Sequence, residues 1–125
     1  MKAIVSTTKA PAAIGPYSQA VQAGGLVITS GQLPIDPATG VFPEGVQAQT
    51  RQSLTNVKAI LEEAGTGMDH IIKTTVFLKN MNDFNAMNEV YATFFTKSGF
   101  PARSAIEVAR LPKDALVEIE VIAVL

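Results

Sequence analysis

The last stretch of the chain alternates between apolar and other side chains with a period of two. This alternation predicts a β-strand over residues 115–125 whose two faces have different surroundings. We expect helices to cover the apolar face, which carries Val117, Ile119, Val121, Ala123 and Leu125. The opposite face carries two carboxylates and two bulky β-branched residues: Glu118, Glu120, Ile122 and Val124. A fully solvated strand face does not normally end this way, so we expect the second face to be partly buried too.

Two stretches have the three- and four-residue spacing of an amphipathic helix. The apolar positions of the first are Thr50, Leu54, Val57, Leu61 and Ala64. Gly65 follows, where a glycine commonly ends a helix. The second helix is predicted to be capped by Asn82 or Asp83 and to stop before Gly99 and Pro101. Its apolar face consists of Phe84, Met87, Tyr91 and Phe94.

Other stretches are typical of strands and of the turns between them. The predicted strands cover residues 17–23, 26–30, 71–78 and 103–108. Gly24 and Gly25 predict a hairpin between the first two strands. Closely spaced prolines and glycines between residues 34 and 45 predict a loop, and residues 111–114 predict a turn before the last strand.

The predicted order of elements is ββ-α-β-α-ββ. This order is typical of an α+β domain with two helices packed on one face of a largely antiparallel sheet. A chain of 125 residues is long enough for one such domain, which we expect to cover residues 1–125. Charged residues make up only 17 % of the chain, against roughly 25 % in an ordinary soluble domain. We therefore expect another copy of the chain to cover part of the surface, including the sheet face without helices.

Composition excludes several classes of site. The chain has no Cys and one His, which rules out a thiolate nucleophile, a disulfide framework and Cys- or His-rich metal sites. Its 10 Lys and Arg residues are scattered and its net charge is −1, which argues against a nucleic-acid surface. The first apolar stretch is too short for a signal peptide, and no apolar run approaches the ~20 residues of a membrane span. By default, we expect a cytoplasmic protein.

Charged residues near the end of the chain are candidates for chemistry. Arg103 opens a predicted strand, where it either forms a surface ion pair or binds a substrate carboxylate through two parallel hydrogen bonds. Glu118 is either a solvated strand residue or a partly buried carboxylate that holds and activates a water. Glu120 points the same way, and the spacing alone does not separate the two glutamates.

Four neutral residues are candidates for lining a pocket. Tyr17 follows a Gly-Pro turn and either packs its ring or forms a pocket wall that can donate a hydrogen bond. Ser30 and Gly31 form a simple turn or let a ligand approach the backbone closely. Asn88 lies beside the apolar stripe of the second helix, a position where most asparagines are solvated. The residues alone indicate an oligomeric protein with a small-molecule pocket and leave the reaction open.

Sequence motifs cover essentially the whole chain in a fixed order. They are APAAIGPYSQ at residues 10–19, TSGQ at 29–32, KTTVF at 73–77, NDF at 82–84, FPARS at 100–104, VARLPKD at 108–114 and EIE at 118–120. Together they resemble the motifs of the reactive intermediate deaminase (Rid) family. The resemblance implies a chorismate-mutase-like α+β fold, assembly as a homotrimer, and ligand sites in the clefts between subunits.

The same resemblance implies a reaction. Small enamines and imines, such as 2-aminoacrylate, 2-iminopropanoate and 2-iminobutanoate, would be hydrolysed to 2-keto acids and ammonia. PLP-dependent dehydratases that act on serine or threonine release such compounds. No cofactor or metal would be needed.

The resemblance also assigns roles to individual residues. Arg103 would bind the substrate carboxylate, and Glu118 would position the attacking water. The pocket positions would be Tyr17, Ser30, Gly31 and Asn88. Ala105 stands where many members have Cys. Any activity of this chain therefore needs no thiol there, although a backbone contact at Ala105 would survive.

Two other functions remain open at this stage. The family name has also been attached to ribonuclease and translation-inhibitor activity, which the negative net charge argues against. A ligand-sensing protein that binds a regulatory partner would use the same Arg103 and Glu118. Only turnover distinguishes such a sensor from an enzyme.

Overall fold

A mixed six-stranded sheet organises the chain in the computed structural model, which describes residues 1–97 and 99–125. The strands are β1 Ala3–Val5, β2 Ala20–Ala23, β3 Leu26–Thr29, β4 Ile71–Leu78, β5 Ala102–Glu107 and β6 Val117–Val124. The helices are α1 Val46–Glu63 and α2 Phe84–Ala92. The strand order is β1-β2-β3-β6-β4-β5; β4 and β5 run parallel and the other neighbours antiparallel. The α+β prediction is confirmed, although the sequence analysis missed β1.

The alternation predicted for the last strand is present in β6. Its apolar face is fully buried and consists of Val117, Ile119, Val121 and Ala123. The prediction for Leu125 was wrong, because its side chain is 52 % exposed. β6 ends at Val124, and the Leu125 N–H donates to the carbonyl of Gly25 in the β2–β3 turn. Leu125 therefore lies past the alternating part of the strand.

Helix α1 follows its predicted apolar stripe, and Leu54, Val57 and Leu61 are fully buried. Its end is closed by two backbone bonds, from Gly65 to Glu62 and from Thr66 to Leu61. This pattern needs a left-handed residue, and Gly65 provides it with φ +88°.

Helix α2 is shorter than predicted. It ends at Ala92, so Phe94 lies beyond it and packs only partly against the core. Asp83 occupies the first capping position without a side-chain hydrogen bond. The side chain of Asn80 instead caps the preceding 3₁₀ turn by accepting from the Asn82 N–H. No helix among the described residues is long and apolar enough to cross a membrane.

The strand predicted over residues 17–23 was too long at its start. Only Ala20–Ala23 pair with neighbouring strands, while the Tyr17 N–H donates to the carbonyl of Gly15 in a turn. The β2–β3 hairpin turns at Gly24 and Gly25 as predicted. Tyr17 is therefore presented by a loop beside the sheet rather than by a strand.

Candidate active site

A cavity of about 1100 Å³ opens between the N-terminal segment, the loop after β3 and the start of β6. Its wall includes Tyr17, Ser30, Gly31 and Glu118. The fold thus brings together four of the predicted site residues from widely separated parts of the sequence. Glu120, on the same face of β6, does not line this cavity. The structure therefore separates the two glutamates, which the strand period alone did not.

A β-bulge shapes the cavity wall at Ser30 and Gly31. Ile28 pairs with Ile122 and Gln32 pairs with Ile119, so β3 contains one residue more than β6 between these two pairs. The Val121 N–H donates to Oγ1 of Thr29 at 3.0 Å, so a side chain replaces a backbone partner where the ladder is interrupted. Bulges commonly re-aim side chains beside functional sites. Here the bulge places Ser30 and Gly31 in the cavity wall beside Glu118.

Gly31 lies against the carboxylate of Glu118. A Cβ atom at this position would stand 2.8 Å from Cδ of Glu118 and 2.9 Å from its Oε1. Any side chain would therefore have to displace the carboxylate or the loop. The group that approaches Gly31 closely in the structure is the Glu118 side chain, and the approach of a ligand to this backbone stays a prediction.

The Ser30 hydroxyl already donates its proton in a hydrogen bond within the chain. Its Oγ donates to the carbonyl of Ser18 at 2.6 Å, and its N–H donates to the carbonyl of Gln19 at 2.8 Å. The hydroxyl oxygen can still accept a hydrogen bond. In this geometry Ser30 therefore suits a ligand N–H or a water better than an acceptor atom.

Gln19 holds the N-terminal wall of the cavity, a role that the sequence analysis missed. Its Oε1 accepts from the Thr7 N–H at 2.7 Å, and its Nε2 donates to the carbonyls of Thr7 at 3.0 Å and Pro11 at 2.8 Å. A weaker contact of 3.4 Å reaches the carbonyl of Ala10. A glutamine in a predicted strand gives no signal of this role, because its partners are backbone groups of an irregular segment.

Electrostatics make Glu118 unusual among the carboxylates of the chain. Burial, and secondarily the charge of Glu120, raises the pKa of Glu118 above its ordinary value. A carboxylate with a raised pKa is easier to protonate and deprotonate near neutral pH. The side chain is therefore suited to holding a water and exchanging a proton with it.

Arg103 lies on the opposite face of the sheet. It is aligned with Thr74 in the parallel ladder, and Thr74 is fully buried on the helix-covered side. The guanidinium contacts α2, where Nη1 donates to Oδ1 of Asn88 at 2.7 Å. Within residues 1–97 and 99–125, no carboxylate lies within ion-pair distance of Arg103. No ion pair within these ranges therefore compensates its charge.

The two principal candidates therefore do not meet within one chain. Glu118 is aligned with Phe77 of β4, whereas Arg103 is aligned with Thr74 of the same strand. Phe77 and Thr74 are three positions apart, so their side chains point to opposite faces of the sheet. Glu118 therefore lies on the face away from Arg103. Asn88 and Ala105 accompany Arg103: Asn88 bonds it, and Ala105 packs partly against the core beside Val76. β5 is an edge strand, so part of its backbone is available to a ligand.

Among the residues that the structure describes, no three His, Asp or Glu side chains are grouped as metal ligands would be. The polar side chains that line the cavity include Glu118, Lys113, Gln19 and Gln32 and the hydroxyls of Tyr17 and Ser30, and the guanidinium of Arg103 is on the other face. The cavity suits a water or a small hydrogen-bonding ligand, and the guanidinium suits a carboxylate.

Comparison with known proteins places this geometry in context. The family described as Endoribonuclease L-PSP matches residues 7–125. A protein of Salmonella typhimurium named 2-iminobutanoate/2-iminopropanoate deaminase is 59 % identical, covering 99 % of this chain and 98 % of the relative. A structure of the Rid protein family from Yersinia pestis has a TM-score of 0.97 at 51 % identity, with full coverage (100 %) of both chains. Escherichia coli TdcF with bound serine has a TM-score of 0.95 at 53 % identity, covering 98 % of each chain.

Proposed function

The chain belongs to the Endoribonuclease L-PSP family, and from that premise we propose that it is a Rid-type deaminase that hydrolyses small enamines and imines to 2-keto acids and ammonia. Full-length identity of 59 % to a named 2-iminobutanoate/2-iminopropanoate deaminase supports this reaction. The observation that carries it is that this chain has both a partly buried carboxylate, Glu118, and a guanidinium, Arg103, that has no ion-pair partner among residues 1–97 and 99–125.

The substrate would be anchored by its carboxylate at Arg103. A guanidinium binds a carboxylate through two parallel hydrogen bonds, which fixes the orientation of the ligand. In TdcF, the bound molecule is serine, which also pairs a carboxylate with a nitrogen on the adjacent carbon. An imine of a 2-keto acid has the same arrangement. Tyr17 and Ser30 would then line the space around the imine carbon.

Glu118 would hold and activate the attacking water. With the imine nitrogen protonated, the water loses a proton to the carboxylate as its oxygen bonds to the imine carbon, and the C=N π pair moves to nitrogen, which gives a neutral tetrahedral carbinolamine. The carboxylic acid returns the proton to nitrogen, and the C–N bond breaks with its electron pair leaving on ammonia. The carbonyl forms as the hydroxyl proton passes to the carboxylate, which then releases it to ammonia or solvent. Such general acid–base assistance is typically worth ~10²–10⁴-fold. Ala105 would contribute only backbone, so the mechanism uses no thiol.

A complete site would need two subunits, because Arg103 and Glu118 lie on opposite faces of the sheet. In the proposed homotrimer, the Arg103 side of one subunit meets the Glu118 cavity of the next, and three such contacts close a ring. Exposed apolar residues on or beside the face without helices, including Ile4, Ile28 and Ile106, support a covered surface. They would be buried between the copies.

The family description leaves ribonuclease activity as a rival. The net charge of −1 argues against this rival, because RNA binding needs an excess of basic side chains to neutralise phosphate groups. A sensor is the other rival, since the same pocket could bind a keto acid or imine without turning it over. Both rivals make different predictions from the deaminase in one set of measurements.

The decisive experiment is ammonia release from 2-aminoacrylate generated by a serine dehydratase. A deaminase accelerates release above the spontaneous rate, and Arg103→Ala abolishes most of the acceleration. Removing one partner of a buried charge pair costs about 2–5 kcal/mol. Tight pyruvate binding without acceleration would instead indicate a sensor. RNA cleavage by the pure protein that disappears with Arg103→Ala would favour the nuclease.

A further inference from the structure

The guanidinium of Arg103 rests in a cradle formed by one face of α2. The cradle consists of Phe84, Asn88 and Tyr91, whose spacing places them on the same side of the helix. Cζ of Arg103 lies 4.7 Å from the ring centre of Tyr91 and 5.3 Å from that of Phe84. Two aromatic faces and one amide therefore define where the guanidinium lies and how it is turned.

Tyr91 is itself fixed by two further side-chain contacts. Its hydroxyl shares a hydrogen bond of 2.7 Å with Oγ1 of Thr74, and its ring packs at 4.8 Å against that of Phe95. Thr74 is the residue aligned with Arg103 across the β4–β5 ladder. The tyrosine is thus tied to the strand next to the arginine that its ring supports, so the ring and the guanidinium are held in one frame.

The cradle orients the guanidinium without neutralising it. Burial raises the pKa of Tyr91, which keeps its hydroxyl protonated even though the nearby Arg103 charge acts in the other direction. Asn88 is a neutral acceptor, and it bonds only Nη1. The Tyr91 hydroxyl is a further hydrogen-bond partner of the guanidinium. Within the described ranges 1–97 and 99–125, no carboxylate pairs with the edge formed by Nε and Nη2. That edge has the geometry that a carboxylate binds with two hydrogen bonds.

We propose that Tyr91 is a positioning residue for substrate carboxylate binding, acting through Arg103 together with Asn88 and Phe84. The inference rests on the proposed function and gives Asn88 an indirect role in place of direct contact with substrate. A guanidinium held in advance loses less side-chain freedom when the carboxylate binds. Removing a cradle contact should therefore weaken ligand affinity and raise KM more than it lowers kcat.

The test compares pyruvate affinity, measured by calorimetry, with KM and kcat in the dehydratase-coupled assay. Tyr91→Leu removes the ring and should weaken pyruvate binding and raise KM about tenfold, while kcat changes less than about threefold. Tyr91→Phe restores the ring without the hydroxyl and should recover all but about threefold of that loss. The control Val90→Ala removes equally buried atoms from α2 away from Arg103, and it should leave pyruvate affinity unchanged.

A second variant keeps the proposal testable if Tyr91→Leu does not fold. Asn88→Asp places a carboxylate where the amide bonds Nη1, so it should pair with Arg103 and weaken pyruvate binding about tenfold or more. Wild-type pyruvate affinity in folded Asn88→Asp or Tyr91→Leu would overturn the proposal. If Arg103→Ala itself binds pyruvate as wild type does, the proposed function fails first. If Arg103→Ala loses pyruvate binding while Tyr91→Leu and Asn88→Asp keep it, the positioning role of Tyr91 is wrong and the proposed function still stands.

Discussion

At the scale of single residues, the cavity depends on a contact so close that it leaves no space for a side chain at position 31. The carboxylate of Glu118 fills the space where Gly31 would carry a side chain. Its charge is unfavourable there, because burial and Glu120 both oppose ionisation. Such strain is expected of a carboxylate that acts in catalysis rather than in stabilising the fold.

Glu118→Gln should reduce the rate of 2-aminoacrylate hydrolysis by about 10²–10⁴-fold, because the amide keeps the shape and cannot accept the proton. Pyruvate affinity should change little, since the proposed carboxylate-binding residue is Arg103. Glu120→Gln is the matched control on the same face of β6, and it should affect stability or assembly more than rate. Single-turnover hydrolysis with both variants provides the measurement. Equal rates for wild type and Glu118→Gln would remove the carboxylate from the mechanism.

Gly31→Ala should lower the hydrolysis rate by about 10²-fold, because a misplacement of the order of 1 Å at a reacting group can have that effect. The added methyl must move Glu118 or the β3 loop. Gly67→Ala is the control, since its Cβ would meet only the flexible Asp69 side chain, at 3.2 Å, away from the cavity. Steady-state kinetics of both variants test this. An unchanged rate in Gly31→Ala would mean that Glu118 tolerates displacement.

At the scale of elements, the cavity wall is a segment without regular structure that one side chain holds in place. Gln19 stands just before β2, and its amide bonds the backbone of Thr7 and Pro11. Its own carbonyl receives the N–H of Ser30 in the bulge. One residue thus ties the N-terminal segment to the site.

Gln19→Met should destabilise the protein by about 2–4 kcal/mol, since partly buried backbone groups lose their partners at about 1–3 kcal/mol each. Activity should fall with stability, because the cavity wall detaches. Gln22→Met is the control in the same part of the chain, where the glutamine makes a single 3.4 Å contact. Denaturant unfolding monitors both variants. A loss no larger in Gln19→Met than in Gln22→Met would show that the wall is held by other contacts.

At the scale of the whole molecule, the charge of Glu118 links stability to pH. Its pKa is raised in the folded state, so the folded protein binds this proton more tightly than the unfolded chain. The associated stability is fully present below the unfolded pKa and is lost as the pH rises through the folded pKa.

Glu118→Gln should therefore raise Tm at about pH 7, and the gain should shrink as the pH is lowered toward the ordinary Glu pKa of about 4.3. Thermal unfolding across this range is the measurement. Glu44→Gln alters an exposed loop carboxylate and should show no such gain. A lower Tm for Glu118→Gln at neutral pH would contradict the sign of the shift.

Assembly is the second property of the whole molecule. Sedimentation equilibrium at micromolar concentration should give about three times the chain mass of 13.2 kDa. Ile106→Glu places a charge on the face without helices and should dissociate the assembly and abolish hydrolysis. Val41→Glu alters a loop residue that is also exposed and should do neither. A monomer that hydrolyses imines at the full rate would exclude a site shared between subunits.

The amino-acid sequence by itself determined the α+β class, the bounds of β4, the buried stripe of α1 and the buried face of β6. These features follow from local side-chain periods and from glycine geometry, which need no information about distant contacts. Motif resemblance also pointed to the family before any geometry was known.

Only the tertiary structure decided which residues meet. The loop position of Tyr17 and the bonds of Gln19 depend on partners far along the chain, and the short pairing of β1 depends on β2. Glu118 was separated from Glu120 by the bulge beside Gly31, which strand periodicity does not encode. Arg103 and Glu118 fell on opposite faces because β4 lies between their strands and sets the register of both. Spacing along one chain carries no such register, so the placement of these two residues on opposite faces was decided only in three dimensions.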